Sequence, residues 1–342
     1  MARYGREEDW KRLIKETPRA PEVPPKKRQK RHFVDHGKSV IAIVRTDDRI
    51  TGIDECLRLL GGVDFLRRLK GDVLVKPNSN SGDPFPASTH PETVRRVIEV
   101  LLSLGIGGNR IIMGDMSGWI YMPTRKSMEE NGIMRIAEEL GVKVSLFDEE
   151  NKWVTVRPEG AGLWPEGFPV AMTAHNASTI ISLPALKTHR SGVFTLSLKN
   201  TMGMTNLRGR GYLHLKKEMN SLIAELNLAY QPALVILDGM KCFVTGGPAK
   251  GDIAQPEVII AGDDRVAIDA VGAAILKFHK AVGIVDKSVK DHEQLDHASK
   301  IGLGNLNIHE ISLRTANLAG DERFTEILSY IERELQGSMN IG

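Results

Sequence analysis

DVLVKPNSNSGDPFPASTHPETVRRVIEVLLSLGIGGNRIIMGD, residues 72–115, passes from one apolar run to another through a polar loop and an amphipathic segment. DVLVKPN reads as a buried strand ending at Lys76-Pro77-Asn78, and NRIIMGD as a second strand ending at Asp115. Between them STHPETVRRVIEVLLSLG predicts a helix, with Thr89 and Glu92 as a capping-box pair, Pro91 in the first turn and Gly105 closing it. His90 falls at the cap, where a structural role is expected.

The same alternation continues outward. SVIAIVR and TGIDECLRLLGG precede this unit as strand and helix, and SMEENGIMRIAEELG and VKVSLFD follow it as helix and strand. Further on, STIISLPALKTH, ALVILDGM and EVIIAGDDRVAIDAVGAAILK give two strands and a strand–turn–helix, with Asp263 as the expected cap. KKEMNSLIAELNLAY carries a helical apolar face, and residues 281–342 add two helices and a short strand. This predicts an α/β protein of mostly parallel sheet with helices on both faces, in which ligands sit at the carboxyl ends of strands. The expected organisation is an arm at residues 1–37, a first lobe at 38–150, a linker or excursion at 151–167 and a second lobe at 168–342, with a ligand cleft between the lobes. The arm carries TPRAPEVPP and the basic run KKRQKRH, which can touch nucleic acid or an acidic partner; a short helix is expected at 6–16.

Composition narrows the function. The chain has 342 residues, 46 Lys plus Arg against 43 Asp plus Glu, and a net charge of +3, which excludes a strongly basic nucleic-acid coat or an acidic disordered chain. Its 2 cysteines, Cys56 and Cys242, are too few for an iron–sulfur cluster or a disulfide framework, which fits a reducing, cytoplasmic setting. No apolar run is long enough for a membrane span.

Three constellations can carry chemistry. In the first, Lys76, Asn78, Ser79, Asn80 and Ser81 follow a strand and precede a helix, an arrangement suited to an anion; no Gly-Lys-Ser/Thr is present, so a Walker-type triphosphatase is disfavoured. The second and most specific is LPALKTHRSGVFTLSLKN, residues 183–200, with Lys187, Thr188 and His189, then Lys199 ten residues on and Asn200. A desolvated lysine can act as nucleophile or base, a histidine can move a proton, or the group can clamp a carboxylate or phosphate. The third, NLRGRGYLH at 206–214, offers Arg208 and Arg210 as anion grips and His214 nearby, in a Gly-punctuated loop. Asp115 and Asp238 each end an apolar strand and together can hold a divalent cation. Cys242, after Lys241, is expected to be buried and inert.

These motifs, KPNSNSGDPFPASTHPETVRRVIEVL, LPALKTH, FTLSLKN, ILDG and GDDRVAIDAVGAAIL in this order, resemble the domain of unknown function 362 over roughly residues 38–280. The family has no general activity assigned to it. Some members carry fused ferredoxin-type cysteine motifs, which implies a redox connection; this chain lacks those cysteines, so electron transfer here would need an external ferredoxin-like partner. The chain is also distantly similar to the lactate racemase family, which uses a nickel pincer nucleotide. That similarity implies His189 as acid/base, Lys199 as the cofactor anchor and His214 near a nickel-binding position one residue off the family's spacing. A second acid/base histidine of that family is replaced by the run Gly114-Asp115-Met116-Ser117, and its proline by Thr188. Three readings stay open on the sequence: an enzyme binding a small anionic molecule with His189 as acid/base, a non-catalytic carrier or partner of an iron–sulfur redox protein docking through the basic arm, and a pincer-cofactor racemase or epimerase of 2-hydroxy acids.

Overall fold

The computed structural model describes residues 7–118 and 122–336; the two ends of the chain, 1–6 of the expected arm and 337–342 of the expected second lobe, lie outside them. The architecture is α/β, as expected. One 12-stranded sheet runs through the molecule, in the order Lys38–Arg45, Val258–Gly262, Leu234–Phe243, Thr179–Leu183, Val73–Pro77, Ile111–Asp115 and Lys143–Leu146, with Ile311–Asn317 joined in parallel to Lys38–Arg45. From Leu234–Phe243 to Lys143–Leu146 every neighbour is parallel, and Val258–Gly262 inserts antiparallel to both its neighbours. Parallel strands covered on both faces are apolar along their whole length, and SVIAIVR and VLVKP are buried throughout. Strands from 38–150 and from 168–342 interleave in this sheet, so both stretches share one hydrogen-bonded framework. The 151–167 segment leaves it, and Trp153–Val156 pairs with Phe168–Ala171 in a separate two-stranded sheet.

Two caps differ from expectation. Helix Pro91–Ser103 is capped by His90, whose Nδ1 accepts from Glu92 N at 3.2 Å. Thr89 instead ties the preceding loop down, its Oγ1 accepting from Asn78 N at 2.7 Å and donating to Leu183 O at 2.6 Å. Helix Arg265–Phe278 is capped by Asp264, not Asp263; Asp263 accepts from the backbone N–H groups of His32 and Phe33. The Gly-punctuated 206–214 stretch is a helix, Leu207–Leu215, because Asn206 caps it by accepting from Gly209 N at 3.1 Å.

The expected arm lies along the body of the protein. Helix Glu7–Glu16 buries Trp10 and Leu13 against helix Leu207–Leu215. Val23 N donates to Thr155 O and Thr155 N to Pro21 O, at 2.9 and 2.8 Å. The basic run then clamps along the body: Lys26 donates to Ala177 O, Arg28 to Gly302 O, and Arg31 to Asp264. Proline keeps the segment extended, and an extended chain with donors at intervals can lie along carbonyls already present at its surface.

Candidate functional site

Strand Val73–Pro77 delivers Lys76 to its carboxyl end, and the parallel neighbour Ile111–Asp115 delivers Asp115 beside it. Both side chains are buried, and Lys76 Nζ lies 2.7 Å from Asp115 Oδ1. Lys76 also donates to Pro77 O at 2.6 Å and Asn200 Oδ1 at 3.2 Å; Asp115 accepts from Ser79 N and Met116 N, each at 2.8 Å. Burial pulls Lys76 below the ordinary lysine value, and Asp115 opposes that shift. Gly203 lies directly over the pair: a Cβ there would collide with Asp115 Oδ1 and the Lys76 ammonium, so only glycine admits this approach.

Next to Thr179–Leu183, the chain turns at Pro184 into strand Ala185–His189, which forms a hairpin with Val193–Thr195. Side chains alternate along a strand, so Lys187 and His189 share one face and Thr188 the other. Lys187 is buried behind Asn78, donating to Asn78 Oδ1 at 2.7 Å and to Ala87 O. Burial first, then repulsion from Lys199, holds Lys187 well below its usual pKa. His189 Nδ1 accepts from two backbone groups, Ser191 N at 3.1 Å and Gly192 N at 3.0 Å. A ring nitrogen that accepts carries no proton, so neutral His189 is the Nε2–H tautomer. Burial, then Lys199, Lys187 and His214, keeps this imidazole well below the usual histidine pKa. It is therefore a neutral hydrogen-bond donor at physiological pH.

The hairpin leads into a single helical turn, Ser197–Asn200, whose first amides are gripped by Asp269: Ser197 N and Leu198 N donate to its oxygens at 2.7 and 2.8 Å. That turn places Asn200 under Lys76 and Lys199 beside His189. Asn200 accepts from Lys76 and Asn78 and donates to Ser182 Oγ, joining the first and second constellations. Lys199 has no ion-pair or hydrogen-bond partner among the described residues. Burial, reinforced by Arg210, brings it down to about 7. Arg210 spends its guanidinium on the carbonyls of Met116, Ser117, Met202 and Thr205, and burial lowers it to about 10.

These groups surround one hollow of about 750 Å³, open mouth included, lined by Lys76, Asn78, Asp115, His189, Lys199, Asn200, Arg210 and His214. Trp10, Asn80, Met116, Gly118, Thr195, Met202, Gly203 and Pro248 complete the wall. Trp10 stacks on His214 with ring centroids 4.3 Å apart, and burial takes His214 down to about 3. Asn80 Nδ2 and Thr195 Oγ1 are buried atoms with no hydrogen-bond partner. The sequence pointed to neither Trp10 nor Thr195; Thr195 could have been found from its register, directly opposite Lys187 in the hairpin.

Several expected site residues lie elsewhere. Ser79 and Ser81 brace the loop: Ser79 Oγ accepts from Asn131 at 3.0 Å, and Ser81 Oγ donates to Asp83 at 2.7 Å. Arg208 turns away to Ile14 O and fastens the N-terminal helix. Thr188 does not line the hollow, and its Oγ1 is buried without a partner. Asp238 is held by Arg49 at 2.8 Å, Thr93 at 2.6 Å and Met240 N at 3.1 Å, so it does not pair with Asp115. The expected metal set of Asp115, Asp238 and His214 is thus not assembled, and no group of three His, Cys, Asp or Glu side chains that could hold a metal is found among the described residues. Cys56 and Cys242 are buried thiols, raised by desolvation, Cys242 to about 12. No helix among the described residues is long and apolar enough to cross a membrane.

Comparison with known proteins agrees with the motifs around this hollow. The chain is 27% identical to the thylakoid-associated protein sll1697 of Synechocystis sp. (strain ATCC 27184 / PCC 6803 / Kazusa) over 232 residues, 66% of this chain and 69% of that protein. The family described as Domain of unknown function (DUF362) matches residues 73–274, which run from the strand bearing Lys76 through the hairpin and helices that bear His189, Lys199, Arg210 and His214, and the chain belongs to that family.

Proposed function

We propose that the hollow binds a small anionic molecule of the carboxylate or phosphate class and that the protein is an enzyme acting on it, with Lys199 as the charged contact and His189 as the proton-bearing donor. One observation carries this reading: hydrogen-bond donors in the hollow outnumber acceptors. Lys199 Nζ, His189 Nε2–H, the Thr195 hydroxyl and the Asn80 amide have no protein acceptor, while Asp115 is already taken by Lys76 and two backbone amides. A buried polar atom without a partner costs about 1–3 kcal/mol, and Thr195 Oγ1 and Asn80 Nδ2 are two such atoms in one wall, beside Lys199 and His189 at the hollow, so a ligand rich in acceptors recovers most there. His189 serves as a donor rather than a base, because taking a proton on Nδ1 would break both bonds from Ser191 and Gly192.

Docking of a ferredoxin-like partner through the basic arm is less favoured, since Lys26, Arg28 and Arg31 are engaged with the body. A pincer-type racemase is less favoured because the family match is to a different family, although His189, Lys199 and His214 line the same hollow.

Calorimetric titration with inorganic phosphate and with lactate tests the reading. Saturable binding of one of them is expected, weaker by at least ~10-fold in Lys199→Met, which is about 1.4 kcal/mol. Affinity should fall from pH 6 to pH 8, because Lys199 loses its proton near 7. No saturable binding of either anion, or binding untouched by both Lys199→Met and His189→Phe, overturns it.

A further inference from the structure

The three lysines of the site have different companions. Lys76 is paired with Asp115, and Lys187 is fixed by Asn78 and Ala87. Lys199 faces the hollow with neither a carboxylate nor a carbonyl to hold its ammonium; its cationic neighbour is Arg210, and the neutral imidazoles of His189 and His214 line the same wall. A lysine clamped by a carboxylate is a fixed cation; one left beside another cation in a desolvated wall is available as a neutral amine. The backbone gives it room. A Cβ at Gly192 would lie 2.9 Å from Lys199 Cε and 3.7 Å from His189 Nδ1, so the two side chains flank the same point of the hairpin.

Resting on the anion-binding reading above, we propose that the ligand class is an oxo acid, a small carbonyl compound bearing a carboxylate, and that Lys199 captures it as an imine. In this step the Lys199 amine attacks the carbonyl carbon and a C–N bond forms. The carbonyl oxygen receives the amine's proton, assisted by a hydrogen bond from His189 Nε2–H. The C–O bond then breaks, water leaves, and the second amine proton departs with it, giving C=N. Lysine, carbonyl compound, imine and water balance without any oxidant or further reactant. Thr195 Oγ1 and Asn80 Nδ2, the two orphaned polar atoms of the wall, supply donors for the carboxylate. Met116, Met202 and Trp10 give the remainder of the molecule an apolar boundary.

The full chain is incubated near pH 7 with pyruvate and sodium cyanoborohydride, digested, and its modified lysines mapped by mass spectrometry. The expected result is one reduced pyruvate adduct per chain concentrated at Lys199, at least ~10-fold above any exposed lysine, slowed by excess lactate and absent from Lys199→Arg. Modification spread over the surface lysines, with Lys199 no more reactive than they are, overturns the proposal; this mapping is made on the unmodified sequence and does not depend on the variant folding. Lactate supplies the separation from the anion reading. If lactate or phosphate binds in the calorimeter and pyruvate leaves Lys199 unlabelled, the imine fails and the anion site stands; if neither anion binds and Lys199 is unlabelled, both fail.

Discussion

At Asp264 one buried carboxylate collects donors from every side. Ser39 Oγ donates at 2.6 Å, Asn305 N at 2.9 Å, Val266 N and Ala267 N at 3.1 Å each, and Arg31 adds its guanidinium. At Lys199 one ammonium, carried on the helical turn Ser197–Asn200, finds no acceptor among the described residues. Asp264 is fully enclosed, whereas Lys199 is half-buried at the wall of the hollow, so the two differ both in their partners and in what they face. A charge that is buried and fully matched holds parts of the fold together; here it fastens the basic segment, the helix Arg265–Phe278 and the turn at Asn305. A cation left unmatched in a wall of the same protein contributes nothing to cohesion and leaves interaction energy for something that arrives from outside.

This contrast can be broken most directly at its matched end. Asp264→Ala removes the cap of Arg265–Phe278 and leaves the N–H of Asn305 and the guanidinium of Arg31 without their acceptor. The expected loss is ~3 kcal/mol or more in urea unfolding. A loss below ~1 kcal/mol would mean that the cluster is no more cohesive than an exposed ion pair.

The unmatched end should behave in the opposite way. Lys199→Met removes a desolvated cation, so stability at neutral pH is expected to be unchanged or higher by up to ~1 kcal/mol, while anion binding is lost. The pH dependence has a definite sign. Lys199 titrates at about 7 in the folded chain against 10.5 in its ordinary state, so between these values the unfolded chain binds the extra proton. Stability contributed by this site is complete above 10.5 and declines as pH falls through that window to about 7. The difference in unfolding free energy between Lys199→Met and the parent chain should therefore move in favour of the variant as pH falls from 10 to 7; a flat difference would show that Lys199 keeps its ordinary proton affinity.

Much of the hollow was legible along the chain because its parts follow apolar runs, Lys76 and Asp115 at the ends of parallel strands and Lys199 and Asn200 on a helical turn. Lys76, Asp115, Lys187, His189, Lys199 and Asn200 each follow an apolar run, and parallel strands bring their carboxyl ends to one side. What failed needed register or distance. Thr188 lies between two residues of the site, but alternation turns it to the opposite face. Asp238 ends the same kind of apolar run as Asp115, yet its acceptors are filled by Arg49 and Thr93, residues 189 and 145 positions away in the chain. Trp10 reaches the hollow only through the docking of helix Glu7–Glu16, which a proline-rich, basic context disguises as a free arm.

The smallest effect tests whether the boundary between matched and unmatched groups lies where the hydrogen bonds place it. Ser81 belongs to the same loop as Asn78 and Asn80, but its hydroxyl donates to Asp83, its carbonyl accepts from Ser88 and Asn131, and it does not line the hollow. Its polar atoms are spent on holding the loop in shape. Ser81→Ala removes one neutral-to-charged hydrogen bond and the Oγ that accepts from Asp83 N at 3.2 Å, so about 1 kcal/mol of stability should go. Anion affinity should stay within about two-fold, since no donor that faces the ligand is altered. If Ser81→Ala weakened anion binding as strongly as Lys199→Met, the loop's hydroxyls would belong to the binding wall, and the division drawn here between groups that stabilise and groups that wait for a ligand would have to move outward to include them.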